Sequence, residues 1–208
     1  MFMNKSVIIL GYSGHAYVVC DIFRRMGIRI EGYCETEEKN FNPFTISYLG
    51  SERELETLKK GAKSDFFVAV GDNSKRKHLF SYLCSNDLIV TNAIHPSVTL
   101  SEYVKIGKGL MIGPGAIVNS LAEIGDAVIC NTGSIIEHEC VVGSFVHIAP
   151  GAVLCGNVKI GEGSFVGANS VIRQGVEIGK NVLIGAGSVV VKNVPDNCKI
   201  WGNPAEKR

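Results

Sequence analysis

The sequence predicts two dissimilar halves: an α/β N-terminal Rossmann-like half domain over residues 1–92, and a C-terminal parallel β-helix of hexapeptide repeats over residues 93–208. Three observations carry this. An aliphatic residue recurs every six positions from Ile94 to Val190 without a break. Glycine, 24 in all, is concentrated after residue 105. Before that point, apolar strand-like runs alternate with helix-like ones.

The beat of six is the stronger signal. Sixteen of its seventeen positions are aliphatic, and the exception, Cys130, is itself a small hydrophobe. The following residue is Gly at 107, 113, 125, 143, 161, 167, 179 and 185, and Asn at 119 and 131. Both tolerate positive φ, so a corner is expected there. Three hexads then close one triangular coil of eighteen residues, with the aliphatic side chains stacked inside. Burying one such side chain is worth roughly 1.5–3 kcal/mol before chain entropy is subtracted. The register never slips, so no large loop is inserted between 94 and 190. An active site must then lie on the outer faces. Flat faces make poor pockets, and a threefold homotrimer would supply clefts between prisms.

In the first half, "KSVIILG" at 5–11 reads as a buried strand, and "YSGHAYVVCDIFRRMG" as a helix ended by Gly27. "IRIEGYCE" and "DFFVAVGDN" read as further strands. "SERELETLKKG", with Ser51 and Glu54 spaced as a capping box, and "SKRKHLFSYLCSN" read as helices. A small parallel sheet follows from this alternation. The turn "GYSGHA" places Gly11, Ser13 and Gly14 near a helix N-terminus, which favours phosphate. It departs from G-x-G-x-x-G at Ser13, and an ordinary tight βα turn would read the same way. Two more strand ends on the same sheet edge offer Glu35, and then Gly71, Asn73 and Arg76 in "GDNSKR". Ligands of parallel sheets bind along that edge. A half-sized domain suits a mononucleotide or nucleotide sugar better than a dinucleotide.

Bulk properties exclude several classes. With 21 basic and 20 acidic residues, the chain lacks the charge of a general nucleic-acid or anionic-membrane surface. No apolar run approaches the ~20 residues of a membrane span, and "VIIL" is too short for a signal-peptide core. Seven cysteines without a C-x-x-C pair suggest reduced thiols in a cytoplasmic protein and no zinc framework.

The chemistry-bearing cluster is "IEHECVVGSFVH" at 136–147. His138 falls two residues past the inward Ile136, near a corner and pointing out, while His147 precedes the inward Ile148. They are nine residues apart, half a coil, so within one prism they face different directions. A shared substrate would have to lie between subunits. A lone histidine on an outward face is more often plain surface polarity. Asn131, Glu137, His138 and Glu139 together, in a repeat that otherwise avoids such residues, favour catalysis. A carboxylate beside imidazole orients it and favours its charged form, as a general base near neutral pH needs.

"CNTGSIIEHECVVGSFVHIAPGAVLCGNVKIG", "ILGYSGHAYVV", "DFFVAVGDNSKRK" and the closing "WGNPA" resemble the bacterial PglD/NeuD-type hexapeptide acyltransferases over nearly the whole chain. The resemblance implies a left-handed β-helix, a homotrimer with active sites between subunits, acetyl-CoA as co-substrate and no metal. It is closest to the PglD-type branch, which N-acetylates UDP-4-amino-4,6-dideoxy sugars, as in bacillosamine synthesis. It implies His138 as base, Glu139 as its orienting partner, and Asn131 beside them. It also implies His147 near the acetyl thioester and His15 near the sugar. Gly156, Ala168 and Ala186 match positions where the family makes backbone contacts to coenzyme A. Glu35 stands where the closest relatives carry Asp. Three competing functions stay open: a NeuD-type O-acetyltransferase acting on sialic acid, a zinc enzyme of the γ-carbonic anhydrase type, and a non-catalytic trimeric scaffold. The zinc reading needs a third histidine, and His95 lies about two coils away.

Overall fold

The computed structural model describes residues 6–51 and 64–207. The helix expected over "SERELETLKKG" lies outside the described residues.

The N-terminal part contains strands β1 (Ser6–Leu10), β2 (Arg29–Cys34), β3 (Ser47–Tyr48) and β4 (Asp65–Val68), in the order β3-β2-β1-β4 and all parallel. β3 was not expected; two residues are too short to leave a pattern. Helix α1 (Gly14–Arg25) buries Ala16, Val19, Cys20, Ile22 and Phe23, the spacing of one helical face. It ends as expected, with Gly27 at φ +71° just beyond. Helix α2 (Asn73–Ser85) is capped by Asp72, whose Oδ1 accepts the Lys75 N–H at 2.8 Å.

From Ala93 to Val190 the chain is a parallel β-solenoid of two-residue strands, followed by an antiparallel pair of longer strands, Lys199–Gly202 and Ala205–Lys207. Up to Val171–Ile172 each strand pairs with the one eighteen residues on, as Glu123 does with Val141 and Ile129 with His147. The inward column is buried through Ile112, Val118, Cys130, Ile136 and beyond. The first coil differs. Leu100 and Ile106 are each 37% exposed, because no coil lies beneath them. A second inward column sits two residues before the first: Ala116, Ala122, Ser134, Cys140, Ala152, Ser164 and Ser170 are all buried. Leu110, Val128, Val146 and Val158 fill the same column, and Cys140 packs among them.

The glycines do a different job from the one expected. From Ile106 to Ile184, positive φ occurs three residues past each inward residue, not one: at Gly109, Gly115, Gly133, Asn157 and Asn169, for example. The Gly that directly follows the aliphatic residue is needed for close stacking. A Cβ on Gly161 would lie 2.5 Å from the Gly179 carbonyl carbon, and one on Gly167 2.5 Å from the Ala186 nitrogen. Coils could not approach to hydrogen-bonding distance past such an atom.

Four corners hold non-Gly, non-Asn residues at positive φ: Leu121, Ala127, Glu139 and Phe145. That conformation costs about 1–2 kcal/mol per residue. Ala127 and Phe145 pack against the N-terminal part. Glu139 is part of the candidate site.

The prism's three outer faces differ in chemistry. Face 1 carries Ala93, Met111, Ile129 and His147, and the N-terminal part docks on it: Met111 and Ile129 join the core of α1, while Ala127 and Phe145 join that of α2. Face 2 presents Thr99, Ile117, Ile135, Val153, Val171 and Val189 in one column. Face 3 presents Lys105, Glu123, Val141, Lys159 and Glu177, with Lys105–Glu123 and Lys159–Glu177 ion pairs at 2.7 Å. Face 3 is built for water. Face 2 is apolar.

Candidate active site

The parallel sheet brings three strand ends to one edge, and a cleft of about 720 Å³ opens there. Gly11, Ser13, Glu35 and Gly71 line it, together with Lys75 and His78 of α2. Gly11, at φ +91°, has Val70 Cγ2 only 2.7 Å from where a Cβ would stand, so no other residue fits. Gly14 has open space around its missing Cβ and no left-handed φ. Packing does not demand glycine there, and the bare helix start leaves room for a phosphate. Ser13 caps α1 by position but makes no side-chain cap bond, which leaves its hydroxyl for a ligand.

Glu35 is engaged within the chain as well. Its Oε2 accepts the Tyr12 N–H at 3.2 Å, its Oε1 accepts the Thr36 N–H at 3.1 Å, and Lys39 Nζ stands 3.8 Å away. It shapes the turn at the cleft mouth. Asn73 and Arg76, expected at the ligand, are turned to the solenoid instead. Asn73 Nδ2 donates to the Gly163 and Ser164 carbonyls, and Arg76, only 1% exposed, donates to those of Ala127 and Phe145. Their polar atoms join the two parts of the chain. Sequence could not show this, because the docking geometry is not written in either half alone.

Where the cleft meets face 1, two histidines come together. The His15 and His147 rings lie 6.3 Å apart. His147 Nδ1 is 3.3 Å from the Gly71 carbonyl oxygen, and its Nε2 is 3.3 Å from Asn131 Nδ2. His15 Nε2 is buried with no hydrogen-bond partner. Burial, helped by the nearby Arg76 charge, lowers the pKa of His147 from 6.5 to about 4. Burial, then the neighbouring His147 and Arg76, lowers His15 likewise to about 4. Both are neutral at pH 7.

An unfolded histidine protonates near 6.5 while these stay neutral to about 4, so the unfolded chain binds more protons in that window. Stability should therefore fall as pH drops from 6.5 towards 4, by roughly 3 kcal/mol per independent histidine. Urea midpoints measured at pH 7 and pH 5 check this. Equal midpoints would contradict the burial of this pair.

His138 occupies a different place, the corner between faces 2 and 3. It is exposed, with its Nδ1 3.0 Å from Glu139 Oε2. A carboxylate only accepts, so Nδ1 carries the hydrogen, and in the neutral ring this leaves the lone pair on Nε2. The ring lies over Gly156, where a Cβ would come within 2.5 Å of Nε2. Gly156 is thus the bed of the imidazole, a role the sequence did not reveal. Ala168 and Ala186 lie on the other corner, between faces 1 and 2. The three positions expected at coenzyme A therefore flank face 2 from both sides. Among the described residues, no three His, Cys, Asp or Glu side chains gather as a metal site.

Residues 6–83 match the family of the PglD N-terminal domain, and residues 157–192 match the bacterial transferase hexapeptide (six repeats). A solved histidine-to-asparagine variant of perosamine N-acetyltransferase from Caulobacter crescentus, in complex with CoA and GDP-perosamine, is 32% identical. The match covers 99% of this chain and 98% of that one, with a TM-score of 0.95. The chain belongs to the PglD-type hexapeptide-repeat sugar acetyltransferases. The acetyltransferase domain of PglB from Neisseria gonorrhoeae, solved with acetyl coenzyme A, is similarly close to this PglD-type chain, at 30% identity, 99% and 100% coverage and a TM-score of 0.93. A curated relative, UDP-N-acetylbacillosamine N-acetyltransferase of Bacillus subtilis, is 34% identical over 111 residues. That match spans 52% of the PglD-type chain and 51% of the relative, about half of each.

Proposed function

We propose that the chain transfers the acetyl group of acetyl-CoA to the 4-amino group of a UDP-4-amino-4,6-dideoxy sugar, in bacterial glycan biosynthesis. The observation that carries this is the pairing of a nucleotide-sized cleft at the sheet edge with a His138–Glu139 dyad on the solenoid. The similar proteins act on amino sugars linked to UDP or GDP, which fits the same geometry. A cytoplasmic location belongs to the same reading, since acetyl-CoA is supplied there. Among the described residues no helix is long and apolar enough to cross a membrane.

The nucleotide lies across Gly11, Ser13 and Gly71, with its diphosphate at the start of α1. The sugar reaches past His15 toward the solenoid. His138 Nε2 takes a proton as the amine nitrogen attacks the thioester carbonyl. The new N–C bond forms, the C–S bond breaks, and the thiolate leaves as it regains a proton from the imidazolium. Glu139 holds the ring and steadies its positive form. A hydrogen-bond donor near His147 offsets the charge developing on the carbonyl oxygen.

The two half-sites stand on opposite sides of face 2, so one chain alone does not bring them together. We assign face 2 as the contact between copies in a homotrimer. Its aliphatic column, unlike the charged face 3, has no solvent role. Acetyl-CoA then lies in the groove between two prisms, where Gly156 of one protomer approaches Ala168 and Ala186 of its neighbour.

The substrate is tested by offering UDP- and GDP-linked 4-amino-4,6-dideoxy sugars and sialic acid side by side, reading thiol release. The UDP-linked amino sugar is expected to give the highest kcat/KM. Faster turnover of the GDP-linked sugar would reassign the base, and turnover of sialic acid alone would replace N-acetylation with O-acetylation.

A further inference from the structure

Arg76 heads the fully buried side chains of the described residues by volume. Its guanidinium meets carbonyls rather than a carboxylate. Nε donates to Ala127 O at 2.8 Å and Nη2 to Phe145 O at 2.9 Å. Nη1 donates to Gly71 O at 2.9 Å, and Nη2 also donates to Asn73 Oδ1 at 2.7 Å. A docking role alone would be met by the solenoid carbonyls. The bond to Gly71 does something more, because the same oxygen faces His147.

A carbonyl oxygen has two lone pairs and only accepts. One lone pair of Gly71 takes Arg76, and the other meets His147 Nδ1 at 3.3 Å, so Nδ1 carries the hydrogen. The opposite edge of the ring gives the same answer independently. Asn131 Oδ1 accepts the Thr132 N–H at 2.8 Å, which turns the amide nitrogen toward His147 Nε2. An NH₂ group only donates, so Nε2 holds the lone pair. The two anchors agree on one tautomer.

We propose that Arg76 is a positioning residue: by pinning the Gly71 carbonyl it locks His147 as the neutral Nδ1–H tautomer, which presents Nε2 as an acceptor. His147 then cannot donate to a thioester oxygen from Nε2. It accepts one hydrogen of the Asn131 amide and aims the second, and Asn131 is the donor to the developing oxyanion. This last assignment rests on the acetyl-transfer reading; the tautomer does not.

The groups facing His147 are few. His15 comes from α1, Arg76 from α2 with Asp72 at that helix's cap, and Asn131 and Phe165 from the adjacent coils. The Phe165 ring packs edge-on at 4.8 Å. Among the described residues no carboxylate stands against the imidazole, consistent with its neutrality at pH 7.

The test is long-range ¹⁵N–¹H correlation of the histidine side chains in the full-length protein, with His147 assigned by a His147→Gln variant. In the wild type, Nδ1 is expected to be protonated and Nε2 bare, with no titration from pH 8 to pH 5. A hydrogen on Nε2, or a titration near 6.5, would overturn the proposal with no variant needed. Arg76→Met is expected to move the His147 titration up toward 6.5, mix its tautomers and lower kcat by about tenfold or more. Its KM for the sugar nucleotide should stay within about twofold. Arg76→Lys keeps the charge but lacks the planar fork that reaches the Ala127, Gly71 and Phe145 carbonyls at once, and should show the same tautomer mixing with a smaller change in titration. A folded Arg76 variant with an unchanged His147 tautomer would reduce Arg76 to a docking residue. The spectrum is read without substrate, so failure of the activity assignment leaves it interpretable.

Discussion

Replacing His138 with alanine is expected to lower turnover by more than about a hundredfold, the range for losing a general base. The side chain is exposed, and its Nδ1 bonds only outward to Glu139. Its removal creates no cavity, so the solenoid and its assembly should be unchanged by scattering and circular dichroism. Turnover within a few-fold of wild type would remove His138 from the chemistry. A companion substitution separates position from identity. Gly156→Ala keeps every polar group but puts a methyl 2.5 Å from the imidazole edge. It should also depress kcat strongly, with little effect on thermal stability. Glu139 supplies a third indication, since it accepts a left-handed backbone at φ +59° that glycine would take more cheaply.

Placing a charge on face 2 is expected to have an effect of comparable size by a different route. Ile135→Asp leaves the neighbouring Ile136, which fills the core, untouched. In a single prism the new carboxylate would be solvated at little cost. Between prisms it would be buried without a partner, at a cost of several kcal/mol. The variant should sediment as a folded monomer and lose nearly all turnover. A trimer of normal activity would show that face 2 is not the contact.

Much of the fold was legible because the solenoid repeats one local decision. Each hexad names its inward residue, and a column from Ile112 through Cys130 to Ile148 can be read by counting eighteens. The same count read one residue earlier would have revealed face 2, in Ile117, Ile135, Val153, Val171 and Val189. The role of the glycines was misread, because a conformational need and a stacking need select the same residue. Only the coil spacing tells them apart. His138 and Glu139 were legible since adjacent residues share a corner. The His15–His147–Asn131 group joins positions as far apart as 15 and 147, and its link through Gly71 and Arg76 appears only once the two parts are docked. Sequence therefore named most of the residues that the structure gathers at the cleft and at the corners of face 2. It misassigned Arg76 and Asn73, whose partners are backbone carbonyls that no side-chain pattern announces.

The central claim is that each active site takes His138 from one protomer and the His147 side from its neighbour. Mixing tests it directly. His138→Ala and His147→Ala proteins, each expected to have lost turnover alone, are combined, allowed to exchange subunits and assayed for thiol release. Hybrid assembly should restore about a quarter of the sites, since a site that draws one residue from each of two randomly mixed chains is intact that often. Exchange without any recovered turnover would show that both histidines serve within a single chain, and would contradict the shared site.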